Sequence, residues 1–385
     1  MRPAPRFPAL RERAERASFR VDGARPPAYS GAPGPGPGGG NARIRNISIE
    51  LLNRRFLVAA TLVIGLAVLQ GCGGEYPQSA LHPTSDFAHR LDGLFMQVVW
   101  WALGVWVVVW AALFYTTFRY RERPGAGRPQ EIHGHVLLEI GWTLAPALIL
   151  VAIAIPTIRT IFVVDRPPTD PDALTLEVIG RQWWWEFRYP ELGIVTGNEA
   201  HIPVGRTIDV RLRSADVVHS FWVPRLGGKR DLVPGQENQI WFTADSVGVF
   251  WGQCAEYCGT AHALMGFRII VDDAPTFERW AAEQRADAAI PAAAEARAGQ
   301  AVFMSNACVS CHTISGTAAQ GRFGPDLTHF GSRLTIGAGI LDNTPENLAR
   351  WIDSTQHVKP GNLMPEVRLT DQQVRQLAAY LSNLR

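Results

Sequence analysis

Between Gly93 and Phe118 the chain carries no charged side chain, and an uncharged run of that length severely limits what its backbone can do. At about 1.5 Å per residue, such a helix crosses the ~30 Å hydrocarbon layer of a bilayer. A second uncharged run extends from Ile140 to Ile158. Its Pro146 and Pro156 do not argue against a span, because neighbouring membrane helices can satisfy the carbonyls that proline frees. Together the runs predict a transmembrane helical hairpin within residues 93–164. Arg119, Arg121, Arg123 and Arg128 lie between them, so the positive-inside rule puts that loop in the cytoplasm and both flanks on the outer face. Composition agrees: 47% of the 385 residues are hydrophobic and 19% charged, rich for a purely soluble chain. A net charge of +2, without Lys and Arg clustered among aromatics in the folded part, gives no argument for nucleic acid, and none is expected as a partner.

Residues 1–53 are Arg-rich and then Pro/Gly-rich, a composition that cannot bury a core. They read as a disordered extension, or as sequence upstream of the true start codon. Arg54 and Arg55 then precede the uncharged run Phe56 to Leu69 and the tripeptide Gln70-Gly71-Cys72. Charge, apolar stretch and small residue match a signal peptide over 54–71, and a cysteine directly after it resembles a bacterial lipoprotein signal with Cys72 as the lipidation site. The alternative is a short buried helix with a spare cysteine. Cleavage after Gly71 predicts the same topology as the arginine loop and leaves 72–92 as a short outer segment.

Further on the pattern changes to alternation. Leu174 to Val178, Thr207 to Leu212 and Phe267 to Val271 read as half-buried strands. Shorter runs at Trp183 to Tyr189, Val217 to Val223, Gln239 to Thr243 and Val249 to Gly252 complete an all-β domain over 173–275, a sandwich or small barrel. Ala-rich sequence from Ala281 to Ala298 marks a linker, placed at 276–292, and an all-α module occupies 293–385. In it, Thr344 with Pro345 opens one helix, and Thr370 with Gln373 forms a capping box for the last.

The cysteines at 72, 254, 258, 308 and 311 form two close pairs and one isolated residue, which is not a disulfide framework. Cys308-Val309-Ser310-Cys311-His312 is the haem-attachment pattern: two thiols add to the vinyl groups and the adjacent imidazole reaches the iron. A redox dithiol or half a zinc site would need neither the following histidine nor the lack of a second pair. The sixth ligand must come from elsewhere. Met364, before Pro365, is the candidate, and Met304 its rival, better suited to a buried apolar role. Residues 293–385 resemble a class I c-type cytochrome. That resemblance implies covalently bound haem c, axial Met364, and a hydrogen bond from His312 to the Pro325 carbonyl. His329 and His357 are expected on the surface.

Cys254, Cys258, His262 and Met265 fall within twelve residues, a soft donor set that suits copper above magnesium or calcium. Zinc is the alternative, although it gains nothing from a methionine. Another histidine must lie close in space, and His219, at a strand end, is the obvious choice. The cysteine loop, the His219-Ser220 strand and Gly180-Arg181-Gln182-Trp183-Trp184-Trp185 together resemble subunit II of haem-copper cytochrome c oxidases, over about residues 80–275.

The resemblance implies a cupredoxin-like barrel in which Cys254 and Cys258 bridge a binuclear copper (CuA) centre. His219 and His262 would be terminal ligands, Met265 and the Glu256 carbonyl weak ones, and the Glu256 carboxylate would reach a magnesium ion at the subunit I border. Trp183 is implied as the point where electrons enter, with its indole near the surface. Three consecutive tryptophans cannot all face inward on a strand of period two. Glu139, just before the second apolar run, is similar to the glutamate at the mouth of a proton channel; an interfacial carboxylate reaching for water is the bland alternative.

The expected whole is a three-part chain of the caa type: membrane hairpin, copper barrel and cytochrome c domain, in the bacterial inner membrane with both centres on the periplasmic face. Its expected partners are subunit I, subunit III, membrane lipid, and a cytochrome c or upstream respiratory complex as donor. Two spans cannot house the oxygen-reducing centre. A quinol oxidase subunit II would lack these copper ligands, and a copper carrier would need no covalent haem. A nitric oxide reductase subunit remains the alternative.

Overall fold

The computed structural model describes residues 76–385 apart from 123, 126, 128–130, 132, 167 and 168, with isolated positions 60, 63 and 65. The N-terminal extension, Cys72 and nearly all of the signal segment lie outside the described residues.

Two long helices come first, α1 (Asp86–Arg119) and α2 (Val136–Val164). At about 1.5 Å per residue both exceed the hydrocarbon layer, and each starts earlier than its uncharged run because polar caps extend it. Ser85 caps α1 by accepting the Ala88 amide, and its hydroxyl donates to the Leu226 carbonyl at 2.6 Å. Asp86 accepts the Thr243 amide at 2.7 Å and Phe87 is buried, so the first turn of α1 is built into the following domain. Beyond it the large apolar side chains face outward: Trp100 is 65% exposed and Leu148 68%. A water-facing surface of this kind would aggregate; against lipid it is the stable arrangement.

The next domain is a two-sheet sandwich. One sheet has the order β3-β2-β1-β5-β8 and the other β4-β10-β9-β6-β7. Their strands are β1 (Leu174–Arg181), β2 (Trp184–Tyr189), β3 (Ile194–Gly197), β4 (Glu199–Pro203), β5 (Thr207–Ser214), β6 (His219–Trp222), β7 (Arg230–Leu232), β8 (Asn238–Thr243), β9 (Gly248–Cys254) and β10 (Gly266–Asp272). Alternation did its expected work: Leu174, Leu176 and Val178 all point into the core. Trp185, Phe221 and Phe267 form its centre, with ring centroids 4.9 to 5.0 Å apart across the Phe267 contacts.

The expected linker is shorter than its composition implies. Residues Ala274–Gln284 form α3, capped by Asp273, and its Phe277 and Ala281 are buried in the sandwich core. Only about residues 285–293 connect the modules. The cytochrome module then contains α4 (Ala294–Ser305), α5 (Cys308–Cys311), the hairpin strands β11 (Thr335–Ile336) and β12 (Leu341–Asp342), α6 (Pro345–Asp353), α7 (Thr355–Val358) and α8 (Asp371–Ser382). Phe303 of α4 meets Tyr380 of α8 edge to face at 5.9 Å. Thr344 caps α6, and Thr370 and Gln373 make the reciprocal box on α8. His357 is exposed as expected, but His329 is buried, with Nε2 3.1 Å from the Ala286 carbonyl. The linker folds back over it, a contact that local sequence cannot reveal.

Candidate copper and haem centres

The antiparallel pairing of β6 with β9 sets Phe221 opposite Cys254 and brings His219 to the end of β9. The chain then loops through Cys258, makes one turn of 3-10 helix at His262–Leu264 and enters β10 just after Met265. Six donors converge. The two Sγ atoms are 3.7 Å apart. Cys254 Sγ lies 3.9 Å from His219 Nδ1 and 3.2 Å from the Glu256 carbonyl, while Cys258 Sγ lies 3.7 Å from His262 Nδ1 and 3.8 Å from Met265 Sδ. Each sulfur thus has one imidazole and one weak donor. A structural zinc takes four ligands; five soft or borderline donors and one carbonyl about a sulfur pair fit copper better.

Protonation points the same way. A hydrogen bond from Cys258 above all, then one from His219, holds the Cys254 thiol far below the ordinary range. Cys258, which supplies that hydrogen bond and is buried, is pushed up. Metal binding must expel any proton the pair holds. Burial opposes a charged His219, but Asp216 and Cys254 outweigh it and hold the ring above its usual range. Asp216 Oδ1 is 2.7 Å from His219 Nε2, and the carboxylate also accepts the Gln182 amide. Gly180 backs the same ring so closely that a Cβ there would lie 2.7 Å from His219 Cδ2.

Trp183 departs from expectation. It sits in the turn between β1 and β2 rather than in a strand, and it is only 8% exposed. Its Nε1 donates to the Cys258 carbonyl at 3.1 Å, as does Gln182 Nε2 at 2.7 Å. Among the three tryptophans Trp184 is the most open, half-buried. The cytochrome module covers Trp183: Lys359 Nζ donates to its carbonyl at 2.6 Å.

Beside Trp183 lies a cavity of about 300 Å³, lined by Cys308, Cys311, His312 and Met364 along with Trp183, Trp184, Phe303, Leu348 and Trp351. Met304 does not line it and packs against the cytochrome core instead. Burial lowers the His312 pKa, keeping the ring neutral as a ligand must be, and Nδ1 donates to the Pro325 carbonyl at 2.8 Å, leaving Nε2 free. The ionisable lining includes three cations, Arg181, Arg333 and Lys359, beside Asp216. An apolar slot whose lining includes cationic side chains fits a haem, which carries two carboxylates.

Glu139 stands exposed in the first turn of α2, accepting the His135 amide at 3.2 Å while His135 Nδ1 caps the Leu138 amide. Both contacts are local to the start of the helix. Gln182, Asp216 and Lys359 were not apparent from sequence. Only Asp216 had a signal, a carboxylate three residues before a candidate metal histidine.

Family profiles match three parts of the chain: the transmembrane domain of cytochrome c oxidase subunit II over 77–160, its periplasmic domain over 193–273, and cytochrome c over 296–385. Subunit 2 of cytochrome c oxidase from Alkalihalophilus pseudofirmus is 39% identical over 338 residues, covering 86% of this chain and 97% of the relative. The chain belongs to the cytochrome c oxidase subunit II family. The Bacillus subtilis subunit 2 is 33% identical over 344 residues, covering 83% and 94%. A quinol oxidase subunit 2 from the same organism is 32% identical over only 230 residues, covering 58% and 70%. This is an oxidase subunit II with a fused cytochrome c domain, part of an oxygen-reducing complex with subunit I, and its two domains imply copper and haem c.

Proposed function

We propose that this chain is the electron-input arm of the oxidase. Electrons arrive from a cytochrome or upstream respiratory complex at a haem c held by Cys308, Cys311, His312 and Met364. They pass to a binuclear copper centre and on to subunit I, where oxygen is reduced to water and protons are translocated. The observation that carries this reading is the six-donor cluster around the Cys254–Cys258 sulfur pair, one tryptophan away from the cavity lined by Cys308, Cys311, His312 and Met364. His219 and His262 serve as terminal ligands, with Met265 and the Glu256 carbonyl as weak ones. A copper pair so held supplies one-electron relay with little reorganisation.

Around these ligands the chain's own groups do the positioning. Asp216 orients His219, the Pro325 carbonyl orients His312, and Trp183 links the Cys258 carbonyl to the haem cavity. The Glu256 carboxylate is half-buried and accepts the Tyr257 amide at 3.3 Å, and it is assigned to a magnesium ion toward subunit I. Glu139 is placed at the cytoplasmic mouth of a proton path, and both centres stand on the periplasmic side of the inner membrane, with subunit III as a further partner. In Met265→Leu or Cys258→Ser oxidase that still assembles with full haem content, oxygen uptake driven by reduced cytochrome is expected to fall sharply. Unchanged uptake would reject the reading.

A further inference from the structure

The contact between the copper sandwich and the cytochrome module is made by buried charged side chains, and each is satisfied across the joint. Glu199, at the start of edge strand β4, is 3% exposed. It takes three hydrogen bonds from the far module: from the Leu334 amide at 2.8 Å and from the Thr335 amide and hydroxyl at 2.7 Å each. Arg268 on β10, 5% exposed and stacked 3.8 Å over Trp251, donates to the Gly339 carbonyl at 3.3 Å, and the Gly266 amide donates to Ala338 at 2.9 Å. From the other side Lys359, 3% exposed, donates to the Trp183 carbonyl at 2.6 Å and to Gly337 at 3.0 Å.

Lys359 belongs to the loop that carries Met364, whose carbonyl is held by Gln356 at 3.1 Å. In that loop Gly361 faces the copper loop so closely that a Cβ would come within 2.8 Å of Thr260 Cγ2. Charged groups of this kind add little net affinity, because their desolvation offsets their attraction, but they reject any other register. A tether of about nine residues alone would let the module sample many poses.

We propose that Glu199 and Lys359 are positioning residues that lock the cytochrome module against the copper domain in one register, so that the haem cavity opens on Trp183 and no outside protein reaches that tryptophan. This rests on the proposed haem-to-copper route and adds what fixes its geometry. An external donor must then deliver its electron to the cytochrome module.

The test uses the assembled oxidase and two variants on opposite sides of the joint, Lys359→Met and Glu199→Ala. Hydrogen exchange is followed at Leu334 and Thr335, and electron transfer to copper is timed after flash reduction of the haem. Each variant is expected to keep wild-type haem and copper spectra, to exchange those amides about tenfold faster, and to transfer about tenfold more slowly, the loss corresponding to one or two buried hydrogen bonds. Glu199→Gln, which retains an acceptor oxygen, should recover part of the protection. Wild-type exchange and rate in both variants would overturn the lock. So would a Lys359→Met variant whose haem potential moves while exchange and rate do not, since that assigns Lys359 to the haem alone. If the wild-type haem itself fails to reduce copper, the underlying route fails, while the exchange data still judge the lock.

Discussion

Gly180→Ala is a small change aimed at one copper ligand. Its added carbon would lie 2.7 Å from Cδ2 and 2.9 Å from Cγ of His219, inside any real carbon–carbon contact. Neither side can retreat freely. The Gly180 backbone is paired with Trp185 on β2 and with Ser214 on β5. The His219 ring is 0% exposed, held at Nε2 by Asp216 at 2.7 Å and packed edge-on to Trp185. Overpacking of this kind costs about 1–3 kcal/mol, and if the strain is relieved by displacing His219 from the metal, copper affinity falls roughly 5- to 150-fold. Copper titration against a competing chelator, with the electron paramagnetic resonance of the loaded protein, measures both the loss and the altered coordination. The haem spectrum should not change. Gly227→Ala is the control, since its carbon would meet Phe87 at an ordinary 3.4 Å. Wild-type copper affinity and an unaltered spectrum in Gly180→Ala would refute the reasoning.

Other outcomes follow from the same geometry. Met364→Leu should lower the haem potential in a redox titration while leaving copper content intact, because a thioether ligand raises that potential; an unchanged potential would point to a different sixth ligand. Thr370→Ala, which loses the capping box on α8, should destabilise the cytochrome module by about 1 kcal/mol in denaturant melts without touching either spectrum. Burial lowers the Lys359 pKa to about 7, against roughly 10.4 in an unfolded chain. The folded state therefore binds fewer protons between these values: stability should rise with pH from about 7 to about 10, with the full penalty present below 7. Melting temperatures across that window should show the rise in wild type and lose it in Lys359→Met; identical profiles would contradict it.

What could be read from the sequence was local. The candidate copper donors from Cys254 to Met265 span one loop, and Cys308 to His312 span one turn, so residue type and spacing were enough to single them out. Helix starts at Thr344 and Thr370 were legible because caps act within four residues. Strand β4, with Glu199 and His201, was not among the expected strands: their places are set by partners far along the chain, Thr335 for one and the Asp272 carboxylate at 2.6 Å for the other. Alanine-rich composition could not distinguish a linker from α3, whose Phe277 and Trp280 supply the docking face. The resemblance implied a Trp183 indole near the surface. A lysine donating to its carbonyl from 176 positions away decides otherwise.

The central claim is that two cysteines, two histidines, a methionine and one carbonyl hold a pair of coppers that share one electron. Electron paramagnetic resonance of the oxidised, purified oxidase tests it most directly. A bridged pair gives a hyperfine pattern from an unpaired electron delocalised equally over two copper nuclei, with two coppers per chain by metal analysis. The pattern of a single isolated copper, or zinc in its place, would contradict it.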